Sequence, residues 1–337
     1  MKKRTFLGLM ASATVGATMI AGATFAAETT PAIVFDLGGK FDKSFNQSAY
    51  DGAERFTKET GIKYRGFEIQ NASQREQAYR RFARDGNNPV IAIGFASAEA
   101  LTKVAKEFPD TKFAIIDMVV DLPNVRSIVY KEHEGSFLVG VMAAKASKTG
   151  KVGFIGGMDI PLIRKFACGF AQGVKSVNPD ATVFQNMTGT TGAAWNNPVK
   201  GGELAKSQMD QGADVIFAAA GSTGLGVLQA AADAGKLSIG VDANQNYLHP
   251  GSVLTSMLKR VDVAVYNAFM DVKNEKWSTG FNVLGLKEGG VDYAVDKNNM
   301  ALVDDGMKMA VEKAKTEIMA GNVMVHDYMS DNTCPVK

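Results

Sequence analysis

The sequence predicts an α/β protein built as two doubly wound lobes, each on a parallel sheet. Three observations carry that reading. The chain has 337 residues, more than one hydrophobic core comfortably holds. Short apolar runs alternate with longer amphipathic stretches, the pattern of parallel strands joined by crossover helices and covered on both faces. The alternation then occurs a second time, so two successive sets of strand–helix units are expected.

In the first set, strands are expected at 32–35, 64–69, 90–93 and 112–116, with helices at 45–59, 73–84 and 98–107. A helix at 134–146 opens the second set. Strands follow at 152–155, 182–187, 215–218 and 237–241, with helices at 162–176, 199–211 and 225–234. The tail adds strands at 253–257, 281–284 and 291–295 and helices at 262–273 and 304–319. More than one crossing between lobes would let these late elements complete both. The expected division gives 28–130 with 258–280 to an N-terminal lobe, and 131–257 with 281–337 to a C-terminal lobe. Ligands of such sheets sit beyond the carboxyl ends of the strands. The strand ends Asp36, Phe95, Asp117, Gly156, Gly221 and Asp242 are therefore the positions to inspect.

Composition is that of a globular chain, 46% apolar and 21% charged,. The first 27 residues differ. Lys2, Lys3 and Arg4 precede an uncharged stretch that ends in Ala21, Ala23, Ala26 and Ala27, just before Glu28. This is the pattern of a cleaved secretory signal over 1–27. The alternative is a membrane anchor, against which the many small residues argue. No cysteine stands near the cleavage region, so no lipid anchor is expected. No later segment is long and apolar enough to span a bilayer. The expected location is outside the cytoplasm, in a periplasm where the source has two membranes.

The formal charge of +2 includes the three basic residues of the signal. Without them the chain is close to neutral, and neither nucleic acid nor anionic lipid is implied as a partner. The two cysteines, Cys168 and Cys334, are either a disulfide, which an exported chain permits, or a buried thiol and an unpaired one in the tail,. They form no metal motif. His133, His249 and His326 are scattered, and no metal or cofactor is implied.

Five strings bear on function. Residues 36–46 read DLGGKFDKSFN. A strand runs into Asp36, a glycine pair permits a tight turn, and Asp42 or Ser44 can cap the next helix. Phe45 and Asn46 open that helix. They suit a flat polar ring, or else are a core aromatic and a capping amide. Residues 218–226, AAAGSTGLG, follow a strand and open a helix, but the spacing is GxxGxG and not the dinucleotide GxGxxG,. Residues 240–246, GVDANQN, place Asp242 directly after a buried strand, where a carboxylate can accept from vicinal hydroxyls or cap a loop. Lys259 in TSMLKR can reach a hydroxyl or carbonyl and balance the acids, or sit at the surface. Trp195 in GAAWNNP is a loop aromatic that either packs or faces Phe45 across a ring. No GxSxG, HExxH or Cys–His set is present, so an enzyme is not implied.

Taken together, DLGGKFDKSFNQSAYDG, GFIGGMDIPLIRKFACGFAQGV, GADVIFAAAGSTGLGV and IGVDANQNYLHPGSVLTSMLK resemble the basic membrane protein family of transporter substrate-binding proteins. The resemblance implies a type I periplasmic-binding fold with a three-strand hinge. It implies delivery to the cognate permease of an ATP-driven (ABC) importer, most often of a purine nucleoside, by a monomeric protein without cofactor. It places Phe45 against the base, with Asp42, Ser44 and Asn46 in the same motif and Trp195 where the opposing aromatic stands. Asp242 and Lys259 match ribose contacts, Asp36 and Asp117 match acidic strand ends, and Phe95 and Gly221 fall at cleft positions. Two departures are visible. The lipid-bearing cysteine of many members is missing, and Asn244 stands where an acidic residue is common, which bears on ligand charge. Relatives also take free bases and riboflavin. A sugar receptor of the same fold would need no pair of Phe45 and Trp195, and an exported α/β enzyme would need a cofactor.

Overall fold

The structure is a computed structural model that describes Met1 and residues 30–336. The expected signal at 1–27, Met1 apart, lies outside the described residues.

The first lobe holds strands β1 (Ala32–Phe35), β2 (Arg65–Glu68), β3 (Val90–Ala92), β4 (Phe113–Ile116) and β5 (Val125–Tyr130). Helices α1 (Phe45–Thr60), α2 (Gln74–Arg84) and α3 (Ala98–Glu107) connect them. The chain then enters the second lobe with α4 (Glu132–Ala146), β6 (Lys151–Met158), α5 (Pro161–Val177), β7 (Thr182–Gly189), α6 (Pro198–Asp210), β8 (Val215–Ala219), α7 (Thr223–Asp233), β9 (Leu237–Asp242) and β10 (Val253–Lys259). It returns through α8 (Val261–Lys273) and β11 (Gly280–Leu284), and crosses again to β12 (Val291–Tyr293) and α9 (Asp305–Met319). The sheet orders are β11-β5-β4-β3-β1-β2 and β12-β10-β9-β8-β6-β7. All pairings are parallel except β10 with β12.

Period-two alternation sorts each strand between two cores. In β1, Ile33 and Phe35 join Phe56 of α1 and Phe269 of α8, while Ala32 and Val34 join Tyr79 and Phe82 of α2. Both faces are covered, which is why the run AIVF is wholly apolar,.

Three points differ from the sequence expectation. Strand β5 has no counterpart in it, because Arg126 and Ser127 interrupt the apolar run. Both are nevertheless buried: Arg126 pairs with Asp271 at 2.7 Å and donates to the Ser278 carbonyl at 2.8 Å. The segment 281–284, expected in the C-terminal lobe, lies in the first sheet as β11, in register with Arg126–Tyr130 of β5. Leu258 and Lys259, expected in the N-terminal lobe, complete β10 in the second sheet. The chain therefore crosses between lobes at 130–132, 259–261 and 284–291. These crossings build the expected architecture, with its boundaries moved by a few residues.

Cys168 of α5 is bonded to Cys334, so the C-terminal segment is tied across the second lobe. Among the described residues no helix is long and apolar enough to cross a membrane.

Candidate functional site

The carboxyl ends of the two sheets face one concave cavity, the usual place for a small-molecule site in open α/β sheets,. From the first lobe come Asp36 and Leu37 after β1, Gly94 and Phe95 after β3, Asp117 after β4, and Asp42, Phe45 and Asn46 around the start of α1. The second lobe supplies Ala219, Ala220 and Gly221 after β8, Val241 and Asp242 of β9, Lys259 of β10, and Trp195 from the short turn Gly192–Trp195. Leu162, Ile163 and Phe166 of the first turns of α5 close the wall. Ten of the eleven residues expected to bind ligand line this cavity, whereas the strand end Gly156 lies inside β6 and does not. Ser44, the eleventh, does not either, but it reaches across the cleft and donates to Asp242 Oδ2 at 2.5 Å.

Asp117 and Asp242 hold equivalent places, at the carboxyl end of the fourth strand of each lobe's winding. Both have left-handed backbone, φ 71° and 63°. That conformation costs an ordinary L-residue about 1–2 kcal/mol and is tolerated best by Asn and Asp. It turns the chain sharply at the mouth of the cleft.

The loop before α1 is held by Asp42. Its Oδ1 accepts from the backbone N–H of Ser44 at 2.8 Å and of Gln47 at 2.9 Å. Its Oδ2 accepts from Asn46 N–H at 3.0 Å and Asn46 Nδ2 at 3.2 Å. The carboxylate's acceptor sites are thereby spent on the helix start. Asn46 in turn accepts the Asp36 N–H at 2.9 Å. Asp42 and Asn46 thus shape the wall more than they offer free groups to it. Asp36 is ion-paired with buried Arg75 of α2. It is also confined by Gly94, where a Cβ would lie 2.4 Å from Asp36 Oδ2.

Lys259 is the positive centre and is 2% exposed. Its Nζ lies 2.6 Å from Asp117 Oδ1 and 2.9 Å from Glu132 Oε1, and sits 5.2 Å from the Phe45 ring and 5.5 Å from the Phe166 ring. Burial works against its charge, but Asp117, Glu132 and Asp242 outweigh that and hold it protonated above its ordinary range. One ammonium cannot satisfy three buried carboxylates equally. Burial pushes Asp242 up to about 7, against the pull of Lys259 and Ser44. Asp117 is pushed by burial to about 6, again against Lys259.

Trp195 is seated by a glycine. A Cβ on Gly157 would lie 2.2 Å from the indole Cζ3. Gly157→Ala is expected to tilt the indole and cost about 1–2 kcal/mol of affinity for a stacked ring. The melting temperature should stay almost unchanged, and calorimetry beside thermal denaturation checks both.

Sequence reading missed Phe166, Arg75, Glu132 and Gln245. Phe166 was legible in principle, because the helix after β6 must begin at the cleft and its first turns must face it. Gln245 ties the lobes together: its Nε2 donates to the Lys43 carbonyl at 2.9 Å, while its Oε1 accepts the Val241 N–H at 2.9 Å. Asn244, expected to bear on ligand charge, is exposed and does not line the cavity. It donates to Asp296 Oδ2 at 2.6 Å, where an acidic residue would meet a like charge.

A family model described as ABC transporter substrate-binding protein PnrA-like matches residues 30–326. An ABC transporter nucleoside-binding protein of Lactococcus lactis is 35% identical, over 87% of this chain and 88% of its own. Basic membrane protein D of Borreliella burgdorferi is 34% identical, over 80% of each chain. A Pyrococcus horikoshii protein named as a lipoprotein is 36% identical, over 78% of this chain and 68% of its own. That name stands against the expected lack of a lipid anchor, although both cysteines here are joined to each other. The crystal structure of an ABC transporter solute-binding protein from Aeropyrum pernix superposes with a TM-score of 0.82 at 29% identity, covering 89% of this chain and 93% of that one. A LacI-type regulator from Rhodococcus shares the fold alone, with a TM-score of 0.61 at 14% identity. With a match across almost every described residue, the chain belongs to the PnrA-like family of ABC transporter substrate-binding proteins.

Proposed function

We propose that this chain captures a purine nucleoside between its lobes outside the cytoplasm and hands it to the permease of an ABC importer. The observation that carries the reading is a single cavity that pairs aromatic walls with buried carboxylates grouped around Lys259. The aromatic walls, Phe45, Trp195 and Phe166, suit a flat base. Asp242 and Asp117 suit hydroxyl donors, and Lys259 suits a hydroxyl or carbonyl acceptor. The Lactococcus relative, named as a nucleoside-binding protein, supports the same ligand class.

The mechanism is closure about the three crossings. Asp42 fixes the start of α1, so that Phe45 stands preformed against one face of the base. The second lobe brings Trp195, Asp242 and Lys259 to the ligand's other side. Ser44–Asp242 and Gln245–Lys43 bonds then bridge the lobes. A ligand that contacts both lobes favours the closed arrangement by its difference in affinity for closed and open forms. A micromolar site needs about −8 kcal/mol. A stacked base contributes about 1–3 kcal/mol, and each hydrogen bond to a charged group about 1.5–3 kcal/mol.

Calorimetric titration of refolded, ligand-stripped protein with inosine, guanosine and adenosine tests this. Micromolar or tighter binding of any of them is expected, and Phe45→Ala should weaken it by about 1–3 kcal/mol. A folded protein silent to all three would sink the nucleoside reading and point to free bases, riboflavin or sugars.

A further inference from the structure

The buried charges do not stop at the cavity wall. Behind Lys259, Glu132 Oε2 lies 3.0 Å from Lys165 Nζ, and Lys165 Nζ lies 3.4 Å from Asp327 Oδ2. Glu132 opens α4 just past the first crossing and is 1% exposed, and Lys165 of α5 is 6% exposed. Lys165 also donates to the Tyr130 carbonyl, the last residue of β5, at 2.7 Å. Asp327 belongs to the C-terminal segment. That segment is clamped onto α5 by two bonds between Gln172 and the His326 backbone, at 2.8 and 3.0 Å, and by the Cys168–Cys334 disulfide. A continuous line of alternating charge therefore joins a partly exposed acid on the tail to the ammonium in the cavity.

We propose that Glu132 and Lys165 are positioning residues of the ligand site, and that Asp327 sets how strongly they hold Lys259. Lys259 divides one positive charge among Asp117, Glu132 and Asp242, and Lys165 competes with it for Glu132. Without Lys165, the full charge of Glu132 falls on Lys259 and draws it from Asp117 and Asp242. Without the charge of Asp327, Lys165 holds Glu132 more firmly and frees Lys259 towards the cleft acids. The other groups facing this line are Asp42, Tyr130, His133 and Glu134. His133 lies 3.8 Å from Asp327 and is kept neutral by burial and by Lys165. None of them replaces Lys165 between Glu132 and Asp327. The inference rests on the nucleoside reading in one respect, that Asp242 receives ligand hydroxyls as a carboxylate.

The test is the pH profile of inosine affinity, with the pH profile of ligand-free melting beside it, for the full chain and for Lys165→Met, Asp327→Asn and Asp327→Glu. The acid-side midpoint should move to higher pH in Lys165→Met and to lower pH in Asp327→Asn, each by about half a pH unit. Asp327→Glu should restore the wild-type midpoint. General loosening of the fold cannot produce opposite shifts, so midpoints that stay fixed or move together would overturn the proposal. If Lys165→Met does not fold, the two variants at partly exposed Asp327 decide. If inosine fails to bind the wild type, the nucleoside reading fails by itself. The ligand-free melting profile titrates the same carboxyls and still decides the charge line.

Discussion

Lys259→Met should destabilise the protein by about 3–5 kcal/mol at pH 8, the usual cost of leaving buried charges without their partner. The substitution keeps the stem's volume and its packing against Phe45, Tyr130 and Phe166, whose rings lie 5.0–5.5 Å from the ammonium. What it removes is, among the described residues, the only cation within ion-pair distance of Asp117, and one of two beside Glu132. The carboxyls can escape by taking up protons, so the deficit should shrink as pH falls towards 5. Urea unfolding at pH 5 and pH 8 checks this, and an equal deficit at both would place the loss in packing and not in charge. Ligand binding should be lost along with the ammonium.

Asp242→Ala should cut nucleoside affinity by about 1.5–3 kcal/mol, the worth of a hydrogen bond to a charged group. Free-base affinity should change far less, because the base lies against the aromatic walls. Equal losses for both would remove Asp242 from hydroxyl recognition. The same residue makes a pH prediction. In the ligand-free fold its carboxyl titrates at about 7, against an ordinary value of 3.8. Between these values the folded state binds the extra proton, so its contribution to stability is whole below pH 4 and is lost as pH rises through 7. Asp117, at about 6, acts in the same direction. Melting temperature should therefore fall across this window, and Asp242→Asn should flatten the fall. Ligand that needs the ionised form should release protons on binding, which titration in buffers of different ionisation enthalpy measures.

Much of this site was legible before any coordinates. The rule that ligands sit beyond carboxyl strand ends led to Asp36, Phe95, Asp117, Gly221 and Asp242, because strand ends follow from apolar runs and those runs are local. Phe45 and Trp195 stood out as aromatics in polar junctions. What each polar group has left to offer was not legible. Asp42 reads in sequence as a cap and, by the family motif, as a ligand contact; the fold makes it a saturated cap. Ser44 reads as a cap, yet its side chain crosses to the other lobe. Asn244 reads as a change in the cleft and instead pairs with Asp296 outside it.

The sequence by itself determined the two sheets, their parallel winding and the ring of strand ends, since burial on both faces writes itself into hydrophobic periodicity. Only the tertiary structure decided where the late strands lie, which acids Lys259 serves, and how Asp327 reaches the site through Lys165 and Glu132. The reason is separation along the chain. Lys259 and Asp117 are 142 residues apart, and Cys168 and Cys334 are 166 apart. No local pattern encodes a partner at that distance, and a buried charge reveals its role only when the fold shows what surrounds it.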